Sequence, residues 1–328
     1  MNRIDVHTHV GVDLLFYFGG GYPYALDLPN LILEGSRSGL SRWVVFPMVT
    51  HTALSLRGLR GGLIKEGDDA LEKVPYAWEN RRLMQEIYDL FPELGRQTLP
   101  FAMIDPSRAP QEQVKELQKL RGSHLFYGLK IQATILQSPI RALLDVGKCL
   151  LDFAEDHDLP VLIHTSIHPA DTWSQVADIL EVARARPGIR FCLAHSCRFD
   201  LQGLNEVARL SNTWFDCSAH VIACRLAAEN HPAVAAEKDR FPSDYTNPAK
   251  VLSDLAAAYP DKLLWGSDAP FHSYVATETE AASAGGRRMR LTCSYQEEAA
   301  PLLTQSPEVQ NRISFQNTLR FLGLEKTS

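Results

Sequence analysis

Two histidines one residue apart, His7 and His9, stand in the run IDVHTHV near the start of the chain. Side chains alternate along a strand, so both imidazoles project from one side, and Asp5 with them. Two imidazoles on one inner face are a ready pair of ligands for a divalent metal, although a bare HxH is more often a core or surface feature and its context has to decide. Two other apolar runs end in a histidine, LPVLIH at His164 and RFCLAH at His195. One such ending is most simply a satisfied core residue, but two successive strands that end alike point to function. Asp268 follows the last apolar run in KLLWGSDAP, where the plain alternative is a turn aspartate before Pro270. Three or four histidines with one carboxylate are the donor set of Zn²⁺ and neighbouring divalent ions. Lys130 sits inside another apolar run, YGLKIQA. Facing outward it would snorkel past covering helices; facing inward it would hold a substrate carboxylate or, if carbamylated, bridge two metals.

The elements that must position these groups alternate from end to end of the chain. Short β-like runs at Ile4–Val10, Trp43–Val49, Thr98–Ile104, Tyr127–Ile131, Pro160–His164, Arg190–His195, Thr213–Cys217 and Lys262–Gly266 are separated by helical stretches. The helical periodicity covers Glu79–Phe91, Gln111–Leu120, Ile140–His157, Trp173–Arg186, Leu201–Leu210, Pro248–Tyr259 and Pro307–Phe321. Runs such as VLIH and LLWG are apolar without alternation, as in parallel strands covered on both faces. The repeats predict a single α/β domain over residues 1–328, a (β/α)8 TIM barrel with extended βα loops at about 11–30, 50–76, 218–246 and 269–297. An open doubly wound sheet would carry a glycine-rich phosphate fingerprint after an early strand, and Gly19-Gly20-Gly21 instead leads into Tyr22-Pro23-Tyr24. Apart from His124, His157 and His231, every histidine lies at or just past the C-terminal end of a predicted strand. A barrel gathers all those ends at one mouth.

Composition removes several alternatives. With 33 basic against 39 acidic side chains, net charge about −6, and no basic block longer than Arg287-Arg288, a nucleic-acid surface is not expected. The six cysteines form no CxxC pair, and a chain of 328 residues buries enough surface to need no disulfide framework, so reduced thiols in a cytoplasmic protein are expected. No signal-peptide pattern or 18-residue apolar run is read, so neither export nor membrane spanning is expected.

As a set, IDVHTHV, FPELG with PFAMIDP, GLKI, LIHTS, LAHS, WGSDAP and the closing FQNTLRFLGL resemble the amidohydrolase superfamily. Spacing and flanking sequence look most like its amidohydrolase-related branch, which includes metal-dependent hydrolases and non-oxidative decarboxylases such as aminocarboxymuconate semialdehyde decarboxylase. The resemblance implies that His7, His9, His164 and Asp268 bind the metal and that His195 polarises substrate or activates water. Lys130 stands where binuclear members carry a carbamylated bridging lysine, and Lys130 and His195 are the candidates for a second metal or for substrate, while the related branch usually works with one metal. The expected cofactor is one divalent ion per chain, zinc ahead of manganese. The expected reaction is hydrolysis of an amide, ester or lactone of a small anionic molecule by activated water, with Asp268 accepting and returning the proton and His195 stabilising charge on the substrate oxygen. Decarboxylation of an aromatic or unsaturated carboxylic acid is the alternative, and a barrel that binds without chemistry ranks below both. Loop candidates for substrate contact are His51, Arg57, His168, His220, Arg225 and His272, each with a solvated loop residue as the plain alternative. The expected partner is the small-molecule substrate, and a homodimer is a family-based expectation.

Overall fold

A computed structural model of the chain describes residues 2–18, 24–277, 288–291 and 293–325. The Gly19-Gly20-Gly21 run and Arg287 lie outside the described residues. Strands β1 (Ile4–Val12), β2 (Ala25–Leu26), β3 (Arg42–Pro47), β4 (Thr98–Ile104), β5 (Gly128–Ile131), β6 (Val161–Ile163), β7 (Phe191–Leu193), β8 (Thr213–Asp216) and β9 (Leu263–Leu264) form one curled sheet. Its order is β2-β1-β3-β4-β5-β6-β7-β8-β9, parallel throughout except where β2 pairs antiparallel with the end of β1. Past β9 the chain meets β1: the Val6 amide donates to the Trp265 carbonyl (3.2 Å), His9 to Ala269 (2.7 Å) and Asp268 to His7 (2.8 Å). A separate hairpin pairs β10 (Tyr274–Thr277) with β11 (Arg288–Leu291) inside the long loop expected after the last strand.

The sheet is apolar on both faces because both are covered. On the concave side Ile4, Val6, Val44, Phe46, Phe101, Met103, Leu162, Cys192 and Leu264 pack together, and Phe321 of the helix Asn317–Leu322 joins them. The intervening residues, among them Trp43, Val45, Ile104, Ile131, Ile163 and Phe215, pack with the surrounding helices.

Helix boundaries depart from the periodicity where a local device intervenes. The Glu79–Phe91 pattern is a helix Ala77–Gln85 that widens into a π-turn Glu86–Leu90, and Pro92 then opens a new short turn. The Ile140–His157 pattern is broken into a 3₁₀ turn Ile140–Leu144 and a helix Lys148–Asp156. Gly147 lies at the break, where a Cβ would come within 2.1 Å of the Pro106 carbonyl oxygen. The Pro307–Phe321 pattern likewise contains a π-turn at Arg312–Gln316.

One irregularity matters for the site. Between Asp5 and Thr8 the register of β1 against β3 shifts by a residue, since Asp5 faces Trp43 while Thr8 faces Val45. Such a bulge re-aims the side chains that follow it. Ile4 and Val6 therefore pack on the concave side, and His7 and His9 also enter the interior. Asp5, expected beside the two histidines, instead turns to the opposite face and accepts hydrogen bonds from the Tyr295 hydroxyl (2.6 Å) and the Ser267 amide (2.9 Å).

Candidate metal centre

At the C-terminal ends of the strands lies a cavity of about 130 Å³. Its polar wall is His7, His9, Lys130, Gln132, His164 and Asp268; its apolar wall is Val49, Ile135 and Phe271. Lys130 lies between Leu129 and Ile131, which pack outward, so the alternation of β5 turns its side chain inward. Its ammonium sits 3.1 Å from His7 Nε2 and 5.2 Å above the Phe46 ring.

Ligating atoms of His7, His9 and Asp268 lie within 4.8 Å of one another. Asp268 Oδ1 is 3.2 Å from His7 Nε2 and 3.8 Å from His9 Nε2. Outer partners fix which nitrogen of each ring is free. His7 Nδ1 donates to Asp216 Oδ2 (3.0 Å), and His9 Nδ1 donates to the Pro47 carbonyl (2.8 Å). Both rings thus present an unprotonated Nε2 to the same point, which is the usual arrangement of metal-binding histidines. Burial, assisted by the Lys130 cation, pushes the His7 imidazole down to about 4, and burial pushes His9 well below its ordinary value. Neutral imidazoles with lone pairs in reach of a carboxylate fit a divalent ion.

Burial raises the Asp268 carboxyl to about 8 and lowers Lys130 to about 8, each partly opposed by attraction to the other. Asp216 shows the reverse balance. Burial works against its charge, but His7, His195 and the Ser218 hydroxyl outweigh it and hold the carboxyl well below the usual range.

Backbone geometry is strained beside the site. Asp268 adopts φ +63°, and His195, Ser196, Cys197, Arg198 and Phe199 form a consecutive left-handed turn. Each such non-glycine residue costs roughly 1–2 kcal/mol, so the surrounding contacts must impose the conformation. The turn brings Arg198 back toward β6, where Nε donates to the Thr165 carbonyl (2.8 Å) and Nη2 to His164 Nε2 (3.1 Å). Because a guanidinium only donates, His164 Nε2 accepts, leaving His164 Nδ1–H to donate to His195 Nε2 (2.9 Å). His195 Nδ1 in turn faces the Ser218 carbonyl (3.0 Å) and lies 4.0 Å from Asp268 Oδ2. His164 therefore lines the cavity with both nitrogens engaged, and His195 stands behind it.

The loop candidates are not brought to the cavity wall. His51 is fully buried, with Nε2 3.4 Å from Asp105 Oδ2. Arg57 is an exposed side chain held by Asp68 and Asp69. His168 accepts from the Ala170 amide within its own loop. His220 is buried at the start of the helix His220–Ala228 and hydrogen-bonded to the Pro248 carbonyl (2.8 Å), while Arg225 on that helix is exposed. His272 is buried edge-on against Tyr295, with its amide bonded to the Asp268 carbonyl (3.1 Å). Their position after strands is as expected; their side chains are turned to structural partners.

Asp216 and Arg198 are the functional candidates that motif reading missed. Asp216 is a lone charge ending an apolar strand, the same signal that singled out Lys130. Nothing in HSCRF announces a left-handed turn.

Two expectations follow from this geometry. A Cβ at Gly266 would lie 2.8 Å from His7 Cβ and 3.1 Å from its amide nitrogen, so Gly266→Ala must displace His7. Zn²⁺ affinity of G266A, measured by competition with a chromophoric chelator, is expected to fall about 10-fold or more. The second concerns Asp105, which accepts from Ser138 Oγ (2.6 Å) and Arg108 Nη1 (2.7 Å). Burial opposes its ionisation, yet His51, Arg108 and Ser138 hold it well below the usual carboxylate range. A depressed carboxylate adds stability that is fully present above its unfolded pKa, about 3.9, and is lost as pH falls through the folded value. Wild-type protein should melt above Asp105→Asn at pH 6, and the gap should shrink progressively as pH falls below about 4. A gap independent of pH would show that Asp105 does not carry this charge.

The amidohydrolase family model matches residues 65–324. No curated protein sequence matches the chain. Among solved structures, a probable 2-pyrone-4,6-dicarboxylic acid hydrolase from Acinetobacter baumannii with citric acid bound is 15% identical, with 98% of this chain and 100% of that chain covered and a TM-score of 0.52. A 5-carboxyvanillate decarboxylase from Sphingomonas paucimobilis is 10% identical, with 99% of each chain covered and a TM-score of 0.56. An uncharacterized TIM-barrel protein from Bordetella bronchiseptica is 12% identical, with 99% of each covered and a TM-score of 0.57. At these identities the likeness shows the fold, and the family match spans most of the sequence: the chain belongs to the amidohydrolase family.

Proposed function

We propose that this chain is a metal-dependent hydrolase acting on an amide, ester or lactone of a small anionic molecule. The observation that carries this reading is the convergence of two neutral imidazoles and a carboxylate, His7, His9 and Asp268, on the wall of one cavity. The hydrogen bonds from Val6, His9 and Asp268 across the two sheet edges support a closed (β/α)8 barrel as the scaffold. His164, on the same cavity wall, is the candidate fourth ligand once its Nε2 is released from Arg198. Zinc suits this nitrogen-rich set best and manganese next, with one ion ahead of two.

Bound there, a divalent ion lowers the pKa of water toward about 7 and polarises a carbonyl oxygen. Asp268, whose Oδ1 lies 3.2 Å from His7 Nε2 and 3.8 Å from His9 Nε2, is placed to hold the proton taken from water at its carboxylate and return it to the leaving group. Asp216 keeps the His7 ring oriented through Nδ1. His195 acts through His164, whose Nδ1–H it accepts, and so sets the polarity of the ring that faces substrate. Lys130 places a cation beside His7, where it offsets negative charge on a substrate oxygen. Phe271, Ile135 and Val49 contribute the apolar lining that limits water in the cavity.

The experiment is a screen of esters, lactones and amides of small carboxylic acids with the Zn²⁺- or Mn²⁺-loaded protein, repeated after chelation. Turnover that stops on chelation and returns with metal supports the reading. Release of CO₂ from an aromatic or unsaturated acid, without hydrolysis, would replace it with decarboxylation.

A further inference from the structure

We propose that Arg198 anchors a carboxylate of the substrate, so that the site selects small carboxylic-acid derivatives whose scissile bond then lies at the His7, His9 and Asp268 cluster. The inference deepens the hydrolase reading and rests on it for where the reacting bond is placed.

Arg198 is a cation inside the mouth of the sheet, and among the described residues no carboxylate oxygen lies within 4.0 Å of its guanidinium. Its hydrogen bonds are one to the Thr165 carbonyl and one to His164 Nε2, both neutral acceptors. The other arginines with such neutral partners are of a different kind. Arg240 spends its donors on the Ala235 and Ala227 carbonyls and on Asn230, which stitch a loop together. Arg198 is half-buried and keeps donors in reserve. A half-buried guanidinium with free donors and no carboxylate in contact, held against a cavity wall residue, is placed to receive an anion from outside. A planar guanidinium matches a carboxylate bidentately, which makes a carboxylate the fitting partner.

The position of Arg198 is imposed by its surroundings. The left-handed turn His195–Phe199 is tied from outside by the Ala235 amide to the Arg198 carbonyl (2.9 Å) and the Phe241 amide to the Phe199 carbonyl (2.9 Å). These contacts hold a conformation that a non-glycine segment rarely keeps, and its effect is to lay the guanidinium against His164, a wall residue of the cavity. Phe271, Ile135 and Val49 line the same cavity, so a flat or short apolar body bearing a carboxylate finds both apolar and polar contacts there.

The test uses benzoate as probe and benzyl alcohol as its uncharged counterpart, with binding measured calorimetrically on metal-loaded wild type, Arg198→Met and Arg198→Lys. Metal content is determined on the same samples. Benzoate affinity is expected to fall about 10- to 100-fold in R198M and less in R198K, which keeps the charge without the planar fork, with benzyl alcohol and metal content unchanged. If R198M does not fold, the partial loss in R198K carries the test. Equal benzoate affinity in all three proteins would overturn the inference, because a carboxylate bound to the metal would not sense Arg198. Failure of metal-loaded wild type to bind benzoate would also overturn it and leave the hydrolase reading intact. If wild type takes up no metal when Zn²⁺ or Mn²⁺ is offered and its benzoate affinity still drops in R198M, Arg198 is upheld and the metal reading falls instead.

Discussion

Asp268→Asn is expected to leave a folded protein whose hydrolytic kcat/KM falls at least about 10³-fold, the scale of losing a positioned proton acceptor. Loss of a metal ligand adds to this. Folding should survive because the carboxyl does not stabilise the metal-free chain by its charge: burial raises it to about 8, so its ionised form is disfavoured where it sits. The Asp268 amide bond to the His7 carbonyl, which joins the two sheet edges, is a backbone contact that the substitution keeps. Circular dichroism and thermal melting should match wild type while turnover disappears. A comparable loss of melting temperature and of activity would make Asp268 a structural residue.

The second large effect is expected at Asp216, which touches neither cavity nor substrate. Its Oδ2 receives the His7 Nδ1 proton, and its Oδ1 receives the amides of His195 (3.1 Å) and Ser218 (2.9 Å). Removing the charge in Asp216→Asn weakens the bond that fixes the His7 tautomer and places an amide NH₂ where only acceptors are wanted. Outer partners of this kind are worth roughly 10- to 100-fold in metal affinity or activity. The signature that separates Asp216 from Asp268 is rescue. Excess Zn²⁺ should restore much of the D216N rate, because His9, Asp268 and the His7 ring are all still present, and should restore none in D268N. No response of D216N to metal would place its role in the fold.

The parts of this site that were legible in the sequence are those whose signal is local. His7 and His9 are two residues apart, His164 and His195 end apolar strands, and Asp268 follows the last one; strand periodicity alone carries each to the mouth of a curled sheet. Lys130 was ambiguous until the register Met103, Lys130, Leu162 placed it on the concave side. The bulge in β1 was invisible, and it reverses the expected side of Asp5 while keeping both histidines inward. A one-residue change of phase is a property of pairing with β3 and leaves no mark in the residue pattern. The loop residues lie off the cavity wall for a related reason: position after a strand says which end of the molecule a residue occupies, whereas Asp105, Asp68 and Asp69, Pro248 and Tyr295 decide where His51, Arg57, His220 and His272 turn. The π-turns at Glu86–Leu90 and Arg312–Gln316 interrupt helices whose apolar periodicity is continuous, because one extra residue per turn hardly disturbs a stripe of that width.

The measurement that bears most directly on this account is metal content per chain, by elemental analysis of protein purified without chelators, for wild type and His9→Ala side by side. About one equivalent of Zn or Mn in wild type, lost in the variant, is the predicted result. Wild-type protein that carries no divalent metal and takes up none when Zn²⁺ or Mn²⁺ is offered would contradict it.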